Sequence, residues 1–355
     1  MKPPPDLSHV RRIFVRAPNW VGDLVMATAA FARIRSAFPD AHITLAARPV
    51  LRSLLAGTDW FDEIVEAPKA GGLGGLWRQV KALKARQCDL AVVFPNSPET
   101  GLVPFLARVP LRLGYKQGRP GLLNLGLKAT TRRRWWNKRM GPRRVPTPMP
   151  MYYRDLLDCL GIPGDAVHPI LKVTPDENRR LDERLQRDGL SPEDKFVLFV
   201  VGANYGASKL WLPDRFAATA RRFAELGYRS LVSVGPAEQE LGKKIAAQAG
   251  VPGLFDPALS LDLLKALVAR CELVVTGDTG PRHLAVALDR KVVCLMGPND
   301  RNYTEYCMDD TVLIQKAELE CVPCQRKICP LGHHQCMKDI TVDEVVTAGQ
   351  ELLAR

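Results

Sequence analysis

Short apolar runs alternate with stretches of helical periodicity from one end of the chain to the other. In the first half, strand-length runs at Ile13–Arg16, Ile43–Ala46, Glu63–Glu66 and Leu90–Phe94 are followed by helical patterns near Leu24–Phe38, Val50–Ala56, Leu76–Ala85 and Glu99–Arg108. Such alternation predicts βαβ units and a parallel sheet. A helix over Met151–Leu160 then leads into Gly161-Ile162-Pro163-Gly164, which reads as a linker. The alternation resumes with the wholly apolar run Phe196–Val201, helix Asp214–Leu226, strand Ser230–Val234 and helix Glu238–Gln248. Helix Leu261–Arg270, strand Leu273–Val275, helix Arg282–Leu288 and strand Lys291–Met296 extend it. The pattern predicts an α/β chain of two facing doubly wound, Rossmann-like domains, at 1–163 and 164–340, with a last helix in 341–355 crossing back onto the first domain. The 355 residues suffice for two cores.

In open α/β sheets ligands gather at the carboxyl ends of the strands, so chemistry is sought in the strand-to-helix loops. Four are unusual. Leu273–Val275 delivers Gly277-Asp278-Thr279-Gly280 to a helix with Pro281 in its first turn, where no backbone donor is needed. The free N–H groups of that turn and the helix dipole favour an anion, phosphate above all. Taken alone, Thr279 is as readily a helix cap and the glycines a turn. Gly202-Ala203-Asn204-Tyr205-Gly206-Ala207-Ser208-Lys209 follows the most apolar strand, and its glycines, amides and lysine suit phosphate. Glu238, in Gly235-Pro236-Ala237-Glu238, is placed either to accept from a ribose diol or to favour a helix start. Asp23 closes Ala17-Pro18-Asn19-Trp20-Val21-Gly22-Asp23, where it is either an N-cap or a base for a substrate hydroxyl. No Walker sequence, Gly-x-Gly-x-x-Gly fingerprint or Gly-x-Ser-x-Gly elbow is present, which removes the main support for kinase, dinucleotide oxidoreductase and esterase readings.

Charge adds a partner. The net charge is +12, and the thirteen Lys and Arg residues from Arg108 to Arg154, with no Asp or Glu among them, account for it. This segment reads as a basic excursion at 108–154 that meets a polyanion: nucleic acid, anionic lipid headgroups or a phosphorylated substrate. Trp135 and Trp136 beside Arg132, Arg133 and Arg134 suit nucleic-acid stacking and a membrane interface equally. Neither a membrane-spanning apolar run nor a signal-like N-terminus is evident, so a cytoplasmic location is expected. Of nine cysteines, Cys321, Cys324, Cys329 and Cys336 cluster around His333 and His334, a spacing open to a structural zinc or to a compact thiol-rich loop.

These loops together resemble the ADP-heptose lipopolysaccharide heptosyltransferases, family 9 of the glycosyltransferases, and among them the heptosyltransferase II branch. The likeness is carried by Arg16-Ala17-Pro18-Asn19-Trp20-Val21-Gly22-Asp23-Leu24-Val25-Met26-Ala27 and by Gly277-Asp278-Thr279-Gly280-Pro281-x-His283-Leu284-Ala285. Lys209 in Ser-Lys-x-Trp, Gly235-x-x-Glu238 and the Cys-x-Pro-Cys loop add to it, while Arg282 stands where Met is more usual. The resemblance implies a GT-B fold and an inverting, metal-independent transfer with Asp23 as general base. It implies donor contacts from Asn204, Lys209, Glu238, Asp278, Thr279, Gly280 and His283, and acceptor contacts from Asn19, Trp20, Gly22, Arg132, Arg133, Arg134, Lys138 and Arg139. The expected partners are ADP-heptose, the phosphorylated inner core of lipid A, met at its first heptose, and the anionic cytoplasmic face of the inner membrane, with no nucleic acid. No cofactor is required for catalysis. Another nucleotide sugar, or nucleic-acid binding through the basic Trp-containing segment, are the competing readings.

Overall fold

The computed structural model describes residues 4–67, 72–129, 131–132, 143–202 and 205–355, with backbone only at 131–132 and 143–144. The chain divides into two compact units, Met1–Pro169 and Ile170–Arg355, so the boundary lies six residues beyond the expected one.

In the first unit, strands β1 (Arg12–Arg16), β2 (His42–Ala47), β3 (Glu63–Glu66), β4 (Leu90–Val93) and β5 (Leu111–Gly114) form a parallel sheet in the order β3-β2-β1-β4-β5. The helices are α1 (Val21–Met26), α2 (Thr28–Ala37), α3 (Pro49–Arg52), α4 (Gly72–Ala85), α5 (Pro98–Leu106) and, beyond a two-stranded ladder β6 (Thr131–Arg132) and β7 (Arg143–Arg144), α6 (Met149–Asp158). Arg33 of α2 fastens α6 by donating to Asp158 at 2.7 Å and to the Pro163 carbonyl at 3.2 Å. Phe31 meets Phe94 edge-on, and Phe94 meets Tyr153 of α6 in the same way, so the sequence's last helix before the linker seals this core.

The second unit carries α7 (Pro175–Arg187), β8 (Phe196–Val201), α8 (Pro213–Glu225), β9 (Arg229–Val234), α9 (Gln239–Ala249), β10 (Gly253–Leu254), α10 (Leu261–Arg270), β11 (Leu273–Gly277), α11 (Gly280–Ala287), β12 (Lys291–Leu295), β13 (Thr311–Ile314), α12 (Gln335–Lys338) and α13 (Val342–Leu353). Its six strands are parallel in the order β10-β9-β8-β11-β12-β13. In both sheets the strand order reverses beside the unit's first strand. The loops after β1 and β4, and those after β8 and β11, therefore flank a topological switch point, where α/β sheets hold their ligands. Two Rossmann-like domains, as the alternation predicts, make up the chain.

The C-terminal helix, expected to cross back onto the first domain, packs into the second unit's own core: Val345, Val346, Ala348 and Leu352 of α13 join Phe199, Phe223 and Leu273 there. Gly349 explains the fit, since a Cβ there would stand 2.5 Å from the Phe223 ring and 2.9 Å from Leu273. Several elements escape the sequence pattern. β5 lies inside what reads as the basic excursion, and β13 follows a loop after the last anticipated strand. Helix α7 is too polar to show an apolar stripe, yet Pro175 and the Thr174–Glu177 capping box start it. Glu177 is buried there and pairs at 3.0 Å with the fully buried Lys265 of α10.

Candidate active site

The loops after β8, β9, β11 and β12 build one polar cluster at the carboxyl edge of the second sheet. Lys209 ends a single 3-10 turn after β8, and its ammonium donates to the backbone carbonyl of Asp278 at 2.8 Å while lying 3.7 Å from Asp278 Oδ2. The ammonium also stands 4.8 Å from the centre of the Tyr205 ring. Asp278 itself is buried, and both its oxygens are occupied: Oδ1 accepts from Arg282 at 2.8 Å and Oδ2 accepts from the Asn299 amide. Arg282, fully buried, donates as well to the Thr304 carbonyl and lies over the Tyr306 ring. Thr279 is the N-cap residue of α11, but its hydroxyl turns back to the Gly277 carbonyl and leaves the first helical turn without a side-chain cap. The structure therefore answers one open question. Thr279 is no conventional cap; Pro281 has no N–H, and the Thr279 and Arg282 N–H groups donate to the Gly277 and Thr279 carbonyls at 2.8 and 3.2 Å, which leaves the Gly280 N–H and the positive end of the α11 dipole for another acceptor.

Electrostatics reinforce this. Burial alone would raise the Asp278 carboxyl, yet Arg282 and Lys209 beside it hold it well below the usual carboxylate range. Burial and the Arg282 charge push the His283 imidazole down to about 3, so it is neutral at physiological pH and shares a 2.6 Å hydrogen bond with the Tyr306 hydroxyl. His283 thus stays inside, stacked against Tyr306, and braces the loop rather than meeting a ligand. Glu238 follows β9, and its carboxylate rests on the backbone of two strand-end glycines. A Cβ at Gly235 would stand 2.8 Å from Oε2, and one at Gly202 would stand 3.1 Å from Cδ. Only glycine at both positions admits the carboxylate to the strand ends. Asn204 lies outside the described residues. Asn299, Tyr306 and Arg282's part in the cluster were missed in the sequence, although Gly297-Pro298-Asn299 is another strand-end loop and the rule that found Lys209 extends to it.

In the first unit the loop between β1 and α1 is more open. Asp23 sits half-buried in the first turn of α1, whose N-cap residue, Trp20, makes no side-chain cap. Asn19 is clasped from both sides: its carboxamide oxygen accepts from Arg16 at 2.7 Å and its backbone carbonyl from Arg48 at 3.2 Å. Burial pushes the Arg16 guanidinium down to about 10, against the pull of Glu99, and it remains charged at neutral pH. Trp20 is 59% exposed beside them, and Gly22 is half-buried. A pocket next to this loop, between the sheet and helices α4 and α5, is lined by Arg16, Glu66, Arg86, Glu99 and Thr100 among others.

The basic segment divides. Arg112 and Arg119 are structural: Arg112 bonds the Val109 and Leu122 carbonyls, and the buried Arg119 bonds the Tyr115 and Pro95 carbonyls. Arg154 pairs with Asp155 on α6. Of the expected acceptor contacts, Arg132 is described by its backbone in β6, while Arg133, Arg134, Lys138 and Arg139 lie outside the described residues. Cys321, Cys324, Cys329 and Cys336 carry free thiols that line a small cavity with Ser208, His333 and His334. Among the described residues no three His, Cys, Asp or Glu side chains are grouped to hold a metal ion. The loop also braces the Lys209 turn, through Ser208 N–H to the Lys327 carbonyl at 3.1 Å and a hydrogen bond between His334 Nε2 and the Ser208 carbonyl at 2.9 Å.

Comparison with known proteins decides between the readings that a phosphate seat on a Rossmann-like sheet leaves open. The glycosyltransferase family 9 (heptosyltransferase) model matches residues 76–335. This chain belongs to that family. Lipooligosaccharide heptosyltransferase 2 of Haemophilus influenzae is 29% identical over 97% of this chain and 99% of its own length. Lipopolysaccharide heptosyltransferase 2 of Escherichia coli is 28% identical over 96% and 98%. A solved structure of E. coli ADP-heptose LPS heptosyltransferase II superposes with a TM-score of 0.77 at 26% identity, over 97% of this chain and 98% of that one. The family 9 chain is accordingly a glycosyltransferase. Among the described residues no helix is long and apolar enough to cross a membrane.

Proposed function

We propose that this glycosyltransferase moves heptose from ADP-heptose to the inner core of lipopolysaccharide, onto its first heptose, with inversion and without a metal cofactor. The observation that carries the reading is the anion seat: an ammonium bonded to the Asp278 carbonyl and 3.7 Å from a carboxylate that Arg282 and Asn299 already engage, beside a helix N-terminus with no side-chain cap, at the switch point of the second sheet. The near full-length similarity to heptosyltransferases 2 gives that seat its donor.

In this reading Asp23 takes the proton from the acceptor hydroxyl as that oxygen forms its bond to the anomeric carbon. The bond from the anomeric carbon to the diphosphate breaks on the opposite side, and ADP departs with the electron pair. Charge developing on the leaving diphosphate is met by Lys209 and the Thr279–Gly280 end of α11, fixed cations and dipoles that need no reorganisation. Glu238 receives the ribose hydroxyls, with Asn204 as a further donor contact. Asn19, Trp20 and Gly22 line the acceptor side. Arg132, Arg133, Arg134, Lys138 and Arg139 meet acceptor phosphates and the anionic cytoplasmic face of the inner membrane, where each cation adds roughly 1 kcal/mol. The protein works in the cytoplasm, peripheral to that membrane, with no nucleic-acid partner. The four-cysteine loop serves as a thiol-rich brace for the Lys209 turn.

Calorimetry against ADP, UDP and GDP tests the donor. Tight binding of ADP with weak binding of the other two is the expected result, and a preference for UDP would overturn the heptose assignment in favour of another nucleotide sugar.

A further inference from the structure

Arg282 presents a puzzle that the donor reading does not absorb. It is a fully buried cation on α11, four residues after Asp278 in the chain. A buried charge is costly unless its partners are well placed, and its Nε has no hydrogen-bond partner. What the residue does is occupy Asp278. With Oδ1 taken by Arg282 and Oδ2 by Asn299, the carboxylate is left 3.7 Å from the Lys209 ammonium, which bonds the Asp278 backbone carbonyl instead. The charge count follows directly. Lys209 and Arg282 are positive, Asp278 negative and His283 neutral, so the cluster carries a net charge of +1 where a Lys209–Asp278 pair alone would carry none.

We propose that Arg282 is a positioning residue for the anion site: by engaging the Asp278 carboxylate at 2.8 Å it keeps that group's ion pair with Lys209 long, at 3.7 Å, and leaves the ammonium available to the second phosphate of a bound diphosphate. Without Arg282, Asp278 would close on Lys209 as its one cationic partner, and the seat would lose its strongest point charge. This deepens the donor assignment and rests on it only for the identity of the diphosphate.

The test is a charge cycle read by calorimetry with ADP and AMP. Arg282→Met should lower the preference for ADP over AMP at least fivefold, because the second phosphate alone senses Lys209. Adding Asp278→Asn to Arg282→Met should restore the preference, since the neutral amide no longer captures Lys209. A loss that was merely structural would weaken both nucleotides alike and would not be rescued by a second substitution. Arg282→Lys, which keeps the charge, should retain the preference and serves if Arg282→Met does not fold. An unchanged preference in Arg282→Met, no rescue in the double variant, or loss of the preference in folded Arg282→Lys would each overturn the inference. Inorganic pyrophosphate separates this from the donor reading. If wild-type protein binds pyrophosphate with the same order among the variants but shows no affinity for ADP, the donor reading falls and Arg282's role stands; if it binds neither, both fall.

Discussion

The two switch points of this molecule are built on the same strand order and handle charge in opposite ways. In the second unit Lys209, Asp278, Arg282 and Asn299 are mutually engaged before any ligand arrives, with Asp278 5% and Arg282 0% exposed. In the first unit Asp23 is half-buried on a short helix, Trp20 projects into solvent, and Arg16 and Arg48 are bonded to carbonyl and amide oxygens of the loop itself. One edge is organised in advance for a small, highly charged group; the other is an open shelf for a larger guest. That division suits a transferase whose leaving group needs fixed charges, while its acceptor brings bulk and contacts of its own.

The comparison is easiest to break at Asp23. Asp23→Ala should lower the transfer rate by about 10²- to 10⁴-fold, the usual worth of a general base, with ADP affinity unchanged by calorimetry. Near-normal turnover would reduce Asp23 to a helix-start carboxylate. Next in size is Asp278→Ala, which strips the buried Arg282 of its counter-charge and should cost about 3–5 kcal/mol in urea unfolding; a loss under about 1 kcal/mol would mean the cluster is not the tightly coupled unit described here. A pH series on stability sharpens the same point. The folded-state pKa of His283, about 3, lies below its ordinary value, so the unfolded chain binds the extra proton at intermediate pH. Its contribution is complete above about pH 6.5 and is lost as pH falls toward 3, by up to about 1.4 kcal/mol per pH unit. His283→Gln should flatten that part of the profile, and an unaltered slope would show that His283 is not the group responsible. The smallest effect belongs to the shelf: Trp20→Ala should change stability by less than about 0.5 kcal/mol while raising the acceptor KM, and a stability loss above that with the KM unmoved would make Trp20 a packing residue.

Much of this was legible in the sequence because parallel sheets announce themselves. Phe196–Val201 and Leu273–Gly277 are buried on both faces and read as unbroken apolar runs, and the loops that follow them are the site. The sequence was less informative wherever a residue's role depends on a partner far along the chain. Nothing in the order of residues shows that Asn299 and Arg282 share one carboxylate, or that Thr279 turns its hydroxyl inward. Thirteen cations in a row suggested a free basic surface, yet Arg119 is buried among carbonyls and Arg112 is tied down in β5. The apolar face of Val342–Leu353 likewise announces a docked helix without naming the sheet it docks on, and the sheet proved to be its own.

The central claim is tested most directly by incubating the protein with ADP-heptose and a lipid A inner-core acceptor that ends in a single heptose, then reading the product by mass spectrometry and NMR. The account predicts one added heptose, joined with an anomeric configuration opposite to that of the donor, and one ADP released per transfer. An unmodified acceptor under conditions where ADP binds, or a product that retains the donor's configuration, would contradict it.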